Sequence, residues 1–159
     1  MKIKVGFGFD VHQLKQGLDF WLGGIIIPHS KGSLGHSDAD VLIHSICDAL
    51  LGAANLGDIG KHFPDSSDEF KGIDSKILLK EVVILISEKG YNIGNIDSTI
   101  CLQSPKIDKY ISEMQKVLSD CMNIDVEDIS IKATTTEKLS FVGRKEGVSA
   151  YATVLIHKS

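Results

Sequence analysis

The order in which apolar periodicities follow one another predicts a two-layer α/β sandwich of the α+β type, a mixed β-sheet with helices packed on one face. A Gly-punctuated apolar run opens the chain, three stretches of helical spacing occupy its middle, and β-rich runs lie between and after them. No repeat, linker or low-complexity stretch divides it, so one domain over residues 1–159 is expected.

Residues 2–12 read as the first strand. Asp19 to Leu22 and Ile25 to Ile27 flank Gly23-Gly24, a hairpin turn, and Pro28 to Gly35 read as a loop leading to the first helix. Ser37 or Asp38 is the expected cap, with Asp40 completing a capping box, and Val41, Leu42, Ile46, Leu50 and Leu51 carry the helix to about Ala54. Gly52 to Ser67 read as a long polar loop, of the length that is often functional. Asp74 caps a second helix that runs through Lys89, with Gly90 as its stop. Ile93 to Leu102 form a strand broken by Pro105, and Tyr110 to Met122 a third helix with Ile111, Met114, Val117 and Leu118 as its apolar stripe. Val126 to Ala133 and the β-branched run from Gly147 to Ile156 are the remaining strands.

A net charge of −4 argues against broad nucleic-acid or membrane binding, and neither partner is expected. An anionic substrate would then depend on metal ions or local donors. Cys47, Cys101 and Cys121 form no short-spaced pair, which points to reduced thiols. No signal-peptide pattern precedes the first strand, so a cytoplasmic location is expected.

The chemistry concentrates in two stretches. In Gly8-Phe9-Asp10-Val11-His12 the strand period turns Asp10 and His12 to one side. In His36-Ser37-Asp38-Ala39-Asp40-Val41-Leu42-Ile43-His44 the helical period stacks Asp40, His44 and Asp48 on one face, carboxylates that would orient the imidazole. Asp10, His12 and His44 together make three ligands with a fourth position open, the composition of a catalytic zinc-type site. A capped helix with a solvated acidic face accounts for the second stretch equally well.

Other polar groups are open to two readings each. Thr134-Thr135-Thr136-Glu137 suits phosphate oxygens and a second cation, or simply ends a strand. Asp58 between Gly57 and Gly60 can accept from sugar hydroxyls, or serve as a turn residue. Arg144 is an anion clamp or an exposed basic turn, and Ser104-Pro105-Lys106 offers main-chain groups to a planar ring. His29, His62 and His157 lack a partner pattern and read as surface residues. With no P-loop, dinucleotide fingerprint or nucleophile elbow, the residues point to a metal-assisted phosphate enzyme. A metal-dependent phosphohydrolase and a protein with a structural metal remain as alternatives.

Taken in order, these segments resemble the 2-C-methyl-D-erythritol 2,4-cyclodiphosphate synthase family of non-mevalonate isoprenoid synthesis. Gly57-Asp58-Ile59-Gly60, Phe63-Pro64-Asp65, Pro105-Lys106, Lys132 to Leu139, and Gly143-Arg144 with Glu146-Gly147 extend the likeness over essentially the whole chain. The resemblance implies a cyclase that converts 4-diphosphocytidyl-2-C-methyl-D-erythritol 2-phosphate to the cyclic diphosphate plus CMP. It implies a homotrimer with intersubunit active sites and a cytidine diphosphate substrate. Asp10, His12 and His44 would hold Zn2+ or Mn2+, and Glu137 would place Mg2+ at the diphosphate. His36 and Thr135 match catalytic positions. Ser37, Asp58, Ile59, Gly60, Phe63, Pro64, Asp65, Ser66 and Ser67 match the segments that hold the methylerythritol and ribose parts. Leu102, Gln103, Ser104, Pro105, Lys106, Ile107 and Asp108 match the cytidine loop, Thr134 and Thr136 the diphosphate turn, and Phe141 and Arg144 the pair near the trimer axis. Leu102 is larger than the family's usual residue, and Ser140, Val142 and Lys145 also depart from it.

Overall fold

The computed structural model describes residues 1–159. Its main sheet has five strands in the order β4-β1-β7-β5-β6, with β1 (Lys2–Gln16), β4 (Lys31–Leu34), β5 (Asn92–Cys101), β6 (Ile129–Thr134) and β7 (Gly147–Lys158). β7 runs antiparallel to both β1 and β5, whereas β5 and β6 are parallel. The sheet is therefore mixed, as expected. A two-stranded hairpin, β2 (Trp21–Leu22) with β3 (Ile25–Ile26), turns at Gly23-Gly24, where φ of +60° and +81° suits glycine.

The helices α1 (Val41–Ala53), α3 (Ser75–Glu88) and α4 (Ile111–Met122) lie on one face, and the core fills the layer between them and the sheet. α1 is buried on nearly every side; only His44, Asp48 and Gly52, one turn apart, keep any exposure. Two glycines let it come so close. A Cβ on Gly6 would run into the Ala49 carbonyl oxygen, and one on Gly8 into that of Ser45. This approach sets His44 above Asp10 and His12. Gly8→Ala is accordingly expected to cost about 3 kcal/mol through overpacking, lowering the melting temperature by roughly 6–12 °C in thermal denaturation.

Several boundaries differ from the sequence expectation. β1 continues to Gln16 because Gln13 to Gln16 pair with β4, which occupies what read as a loop. The N-cap of α1 is Asp40 itself, its carboxylate accepting from the Ile43 N–H at 3.0 Å. Ser37 and Asp38 instead accept from the N–H groups of Ala39 and Asp40 in the turn before the helix. The 52–67 stretch contains a short helix, α2 (Ile59–His62), capped by Asp58. A 3-10 turn over Val126–Asp128 precedes β6, and α5 (Ser140–Gly143) interrupts the approach to β7.

Because β1 alternates glycine and polar residues on the helix side, its apolar positions Ile3, Val5, Phe7, Phe9 and Val11 face outward and are exposed. Tyr151 of β7 joins them, with its ring centroid 5.1 Å from that of Phe9 and 6.2 Å from that of Phe7. The β1 side of the open face is thus an apolar patch, while Asp97 and Lys132 make its β5–β6 side polar.

Candidate active site

Asp10 and His12 leave β1 on the helix side, and His44 comes down from α1 to meet them. His12 Nε2 lies 2.8 Å and His44 Nδ1 3.1 Å from Asp10 Oδ2, and the two nitrogens are 3.2 Å apart. Ligands at 2.0–2.1 Å around a tetrahedral centre stand roughly 3.3 Å apart, so this triangle fits one face of such a site. The outer edge of His12 is fixed too, its Nδ1 donating to the Leu34 carbonyl at 3.1 Å. In the neutral ring that leaves the lone pair on Nε2. Gly35 gives the ring room, since a Cβ there would lie 3.1 Å from His12 Cε1.

The carboxylates expected to support His44 do something else. Asp40 is fully buried and accepts from Gly23 N–H (3.0 Å), Gly24 N–H (2.7 Å) and Ile43 N–H, pinning the hairpin turn to the start of α1. Burial and the neighbouring Asp38 push its carboxyl up, with the three N–H groups opposing. Asp48 accepts from Ile59 N–H at 3.2 Å and so holds α2. His44 Nε2 is met instead by Ser75 Oγ at 2.9 Å and Ser37 Oγ at 3.1 Å. Ser75 carried no functional signal in the sequence beyond following a helix cap.

Burial works against charge on Asp10, but hydrogen bonds from His12 and His44 outweigh it and hold the carboxyl down at about 2. Burial likewise opposes charge on His12, and Asp10 overcomes it to raise the imidazole above 6.5. His12's share of stability is complete below pH 6.5 and is lost as pH rises through the raised folded value. Asp10's share is present above 3.8 and lost as pH falls toward about 2. The melting temperature of chelator-treated protein is therefore expected to fall as pH rises above 6.5; a rise there would contradict the assignment.

The Asp10, His12 and His44 triangle floors a cleft of about 310 Å³ that also takes in Gly35, His36, Ser37, Ile59, Gly60, Phe63, Asp65, Phe70, Ile73 and Leu78. His36 Nε2 donates to the Ser67 carbonyl at 3.0 Å, tying the first wall to the 63–70 segment. Asp58 Oδ1 is engaged by Lys61 N–H at 2.9 Å, while Pro64 and Ser66 flank the cleft without lining it. His62 is not a free surface residue, since its Nε2 donates to the Leu56 carbonyl at 2.7 Å.

The remaining expected residues gather elsewhere. Leu102, Gln103, Pro105, Lys106, Ile107 and Asp108 line a second cleft of about 160 Å³ with Ala133, Thr134 and Thr135, at the ends of β5 and β6. Ser104 lies in that loop, and its bond to Pro105 is cis. Lys138 N–H donates to Gln103 Oε1, and Thr136 Oγ1 to the Leu139 carbonyl, so the loop and the threonine turn brace each other. Glu137 is exposed on this turn and is no part of the Asp10, His12 and His44 cluster. Phe141 borders a third cavity with Val11, His12, Gln13, Glu146 and Gly147, and Arg144 pairs with Glu146 at 2.7 Å. Asp10, Ala150, Ile100 and Ala133 stand level on four adjacent strands. Three strand spacings of about 4.8 Å put the Asp10 cleft and the threonine-turn cleft of one chain roughly 14 Å apart.

Residues 3–157 match the model of the YgbB family. The chain belongs to the YgbB family. It is 69% identical over 158 residues to the 2-C-methyl-D-erythritol 2,4-cyclodiphosphate synthase of Bacteroides fragilis, covering 99% of each chain. It is 63% identical to the synthase of Cytophaga hutchinsonii, again over 99% of each. Among solved structures, the bifunctional IspDF of Campylobacter jejuni superposes with a TM-score of 0.96 at 42% identity, covering 99% of this chain. The chain spans 43% of the length of that bifunctional protein. A CDP complex of IspF from Plasmodium falciparum superposes at 0.87 with 36% identity, covering 99% of this chain and 97% of the other. The Asp/His/His cluster of this YgbB-family chain suits a divalent metal, and no helix is long and apolar enough to cross a membrane.

Proposed function

We infer that the chain converts 4-diphosphocytidyl-2-C-methyl-D-erythritol 2-phosphate to 2-C-methyl-D-erythritol 2,4-cyclodiphosphate and CMP. The full-length 69% identity to the Bacteroides fragilis synthase carries this reading. The substrate's 2-phosphate attacks the β-phosphorus, and the new P–O bond forms as the bond to CMP breaks. That phosphate is already anionic near neutral pH, so the work left to the protein is alignment and charge neutralisation. Asp10, His12 and His44 would hold a Zn2+- or Mn2+-type ion and Glu137 a Mg2+ ion at the diphosphate. Bound there, the ions act as Lewis acids toward phosphate oxygens. His36, Ser37, the 58–60 turn and the 63–67 segment hold the sugar parts. Residues 102–108 read the cytosine, and Thr134 to Thr136 receive the diphosphate, with Thr135 at the reacting phosphorus.

The site is built between neighbouring subunits of a homotrimer in this reading, with residues 1–159 acting as one unit. Two observations support it. The metal cleft and the threonine-turn cleft are roughly 14 Å apart within one chain. The apolar face of β1 and β7 is exposed in the single chain and calls for cover. Phe141 and Arg144 then fall near the axis, where an isoprenoid diphosphate would enter. Mixing inactive His44→Ala and Thr135→Ala chains after dissociation tests the shared site. Random reassembly is expected to restore about a quarter of the sites, those pairing two intact halves. No recovery, with both variants properly assembled, would place each site within one chain.

A further inference from the structure

His44 Nε2 points away from the metal cleft, toward the first turn of α3. There Ser75, fully buried, lies 2.9 Å away through its Oγ. Ser75 is itself held at two points, its N–H donating to Asp38 Oδ2 at 2.9 Å and its hydroxyl to Asp38 Oδ1. A serine hydroxyl has one proton, and here Asp38 takes it. Ser75 Oγ can therefore only accept from His44, which requires a proton on Nε2; in the neutral ring the Nδ1 lone pair then faces His12 and Asp10, whose Oδ2 at 3.1 Å would otherwise draw the proton to Nδ1. Ser37 Oγ, at 3.1 Å from the same nitrogen, accepts from Ala39 N–H, and no acceptor claims its own proton. Alone, it could donate to Nε2 and send the imidazole proton to Nδ1, the atom that a metal needs.

We propose that Asp38 and Ser75 are positioning residues that set the tautomer of His44 and so present Nδ1 as a ligand. The inference rests on the reading of Asp10, His12 and His44 as a metal site. The same Ser75 that opens α3 behind its Asp74 cap thus locks the imidazole of α1. Partners of this kind typically govern metal affinity by 10–100-fold.

Full-length protein stripped of metal is titrated with Co2+ at pH 8, following the visible absorption of the bound ion, for parent, Ser75→Ala, Ser75→Thr and Asp38→Asn. Ser75→Ala is expected to weaken binding by about 10–100-fold, and Ser75→Thr, which keeps the hydroxyl, to stay within several-fold of the parent. Asp38→Asn is the decisive variant. It keeps the shape and the acceptor for Ser75 N–H, but can donate to Ser75 Oγ and free the serine proton for His44, at the cost of the Asp40 N–H that Asp38 Oδ1 also accepts at 3.1 Å. It too should weaken binding by about tenfold or more, with the metal-free chain still unfolding cooperatively. Asp38→Asn and Ser75→Ala binding Co2+ within twofold of the parent would overturn the proposal while leaving the metal site standing. Failure of the parent to bind Co2+ would overturn the metal site and the proposal together.

Discussion

His44→Ala leaves Asp10 and His12 with one partner fewer, and CMP release from the diphosphocytidyl substrate is expected to fall by at least about a hundredfold. The floor follows from general experience with metal sites, where losing an outer partner of a ligand already costs 10–100-fold and losing the ligand costs more. The variant also lacks one corner of a triangle whose sides are 2.8 to 3.2 Å, which two residues cannot restore. Added Zn2+ should therefore raise the melting temperature of the parent and not that of the variant. A variant turning over within about tenfold of the parent would remove His44 from the chemistry.

Asp40→Ala is expected to cause a large loss of stability from a single polar side chain. It removes the N-cap of α1 and strands the buried N–H groups of Gly23, Gly24 and Ile43. Each unsatisfied buried donor costs about 1–3 kcal/mol, so the sum is at least about 3 kcal/mol and a substantial part of an ordinary domain's stability. The melting temperature should drop by roughly 6–12 °C or more. A drop under about 2 °C would mean that water or another group satisfies those donors.

The sequence patterns that proved legible are those set by local physics. The helix-period runs at Val41 to Leu51 and Ser75 to Glu88, the Gly23-Gly24 turn and the β-branched run before Ile156 all carry their own signals, and the fold class follows from their order. Asp10, His12 and His44 were legible as one cluster because the strand and helix periods each turn them to a defined side. What was hidden is long-range. Asp40 and Asp48 share a helix face with His44, yet each is drawn off by backbone N–H groups distant in sequence, at Gly23, Gly24 and Ile59. Ser75 reaches His44 from 31 positions away. The outward-facing apolar edge of β1 follows from Gly6 and Gly8 having been given to the close approach of α1, a use that hydropathy alone does not reveal.

Phosphorus NMR of the purified protein with the diphosphocytidyl substrate, with and without chelator, tests the cyclase assignment most directly. One CMP is expected for each cyclic diphosphate formed, with both products lost on chelation and regained on restoring the divalent ion. Free monophosphates with no cyclic product would make the protein a metal-dependent phosphohydrolase. An untouched substrate would contradict an enzymatic role at this site altogether.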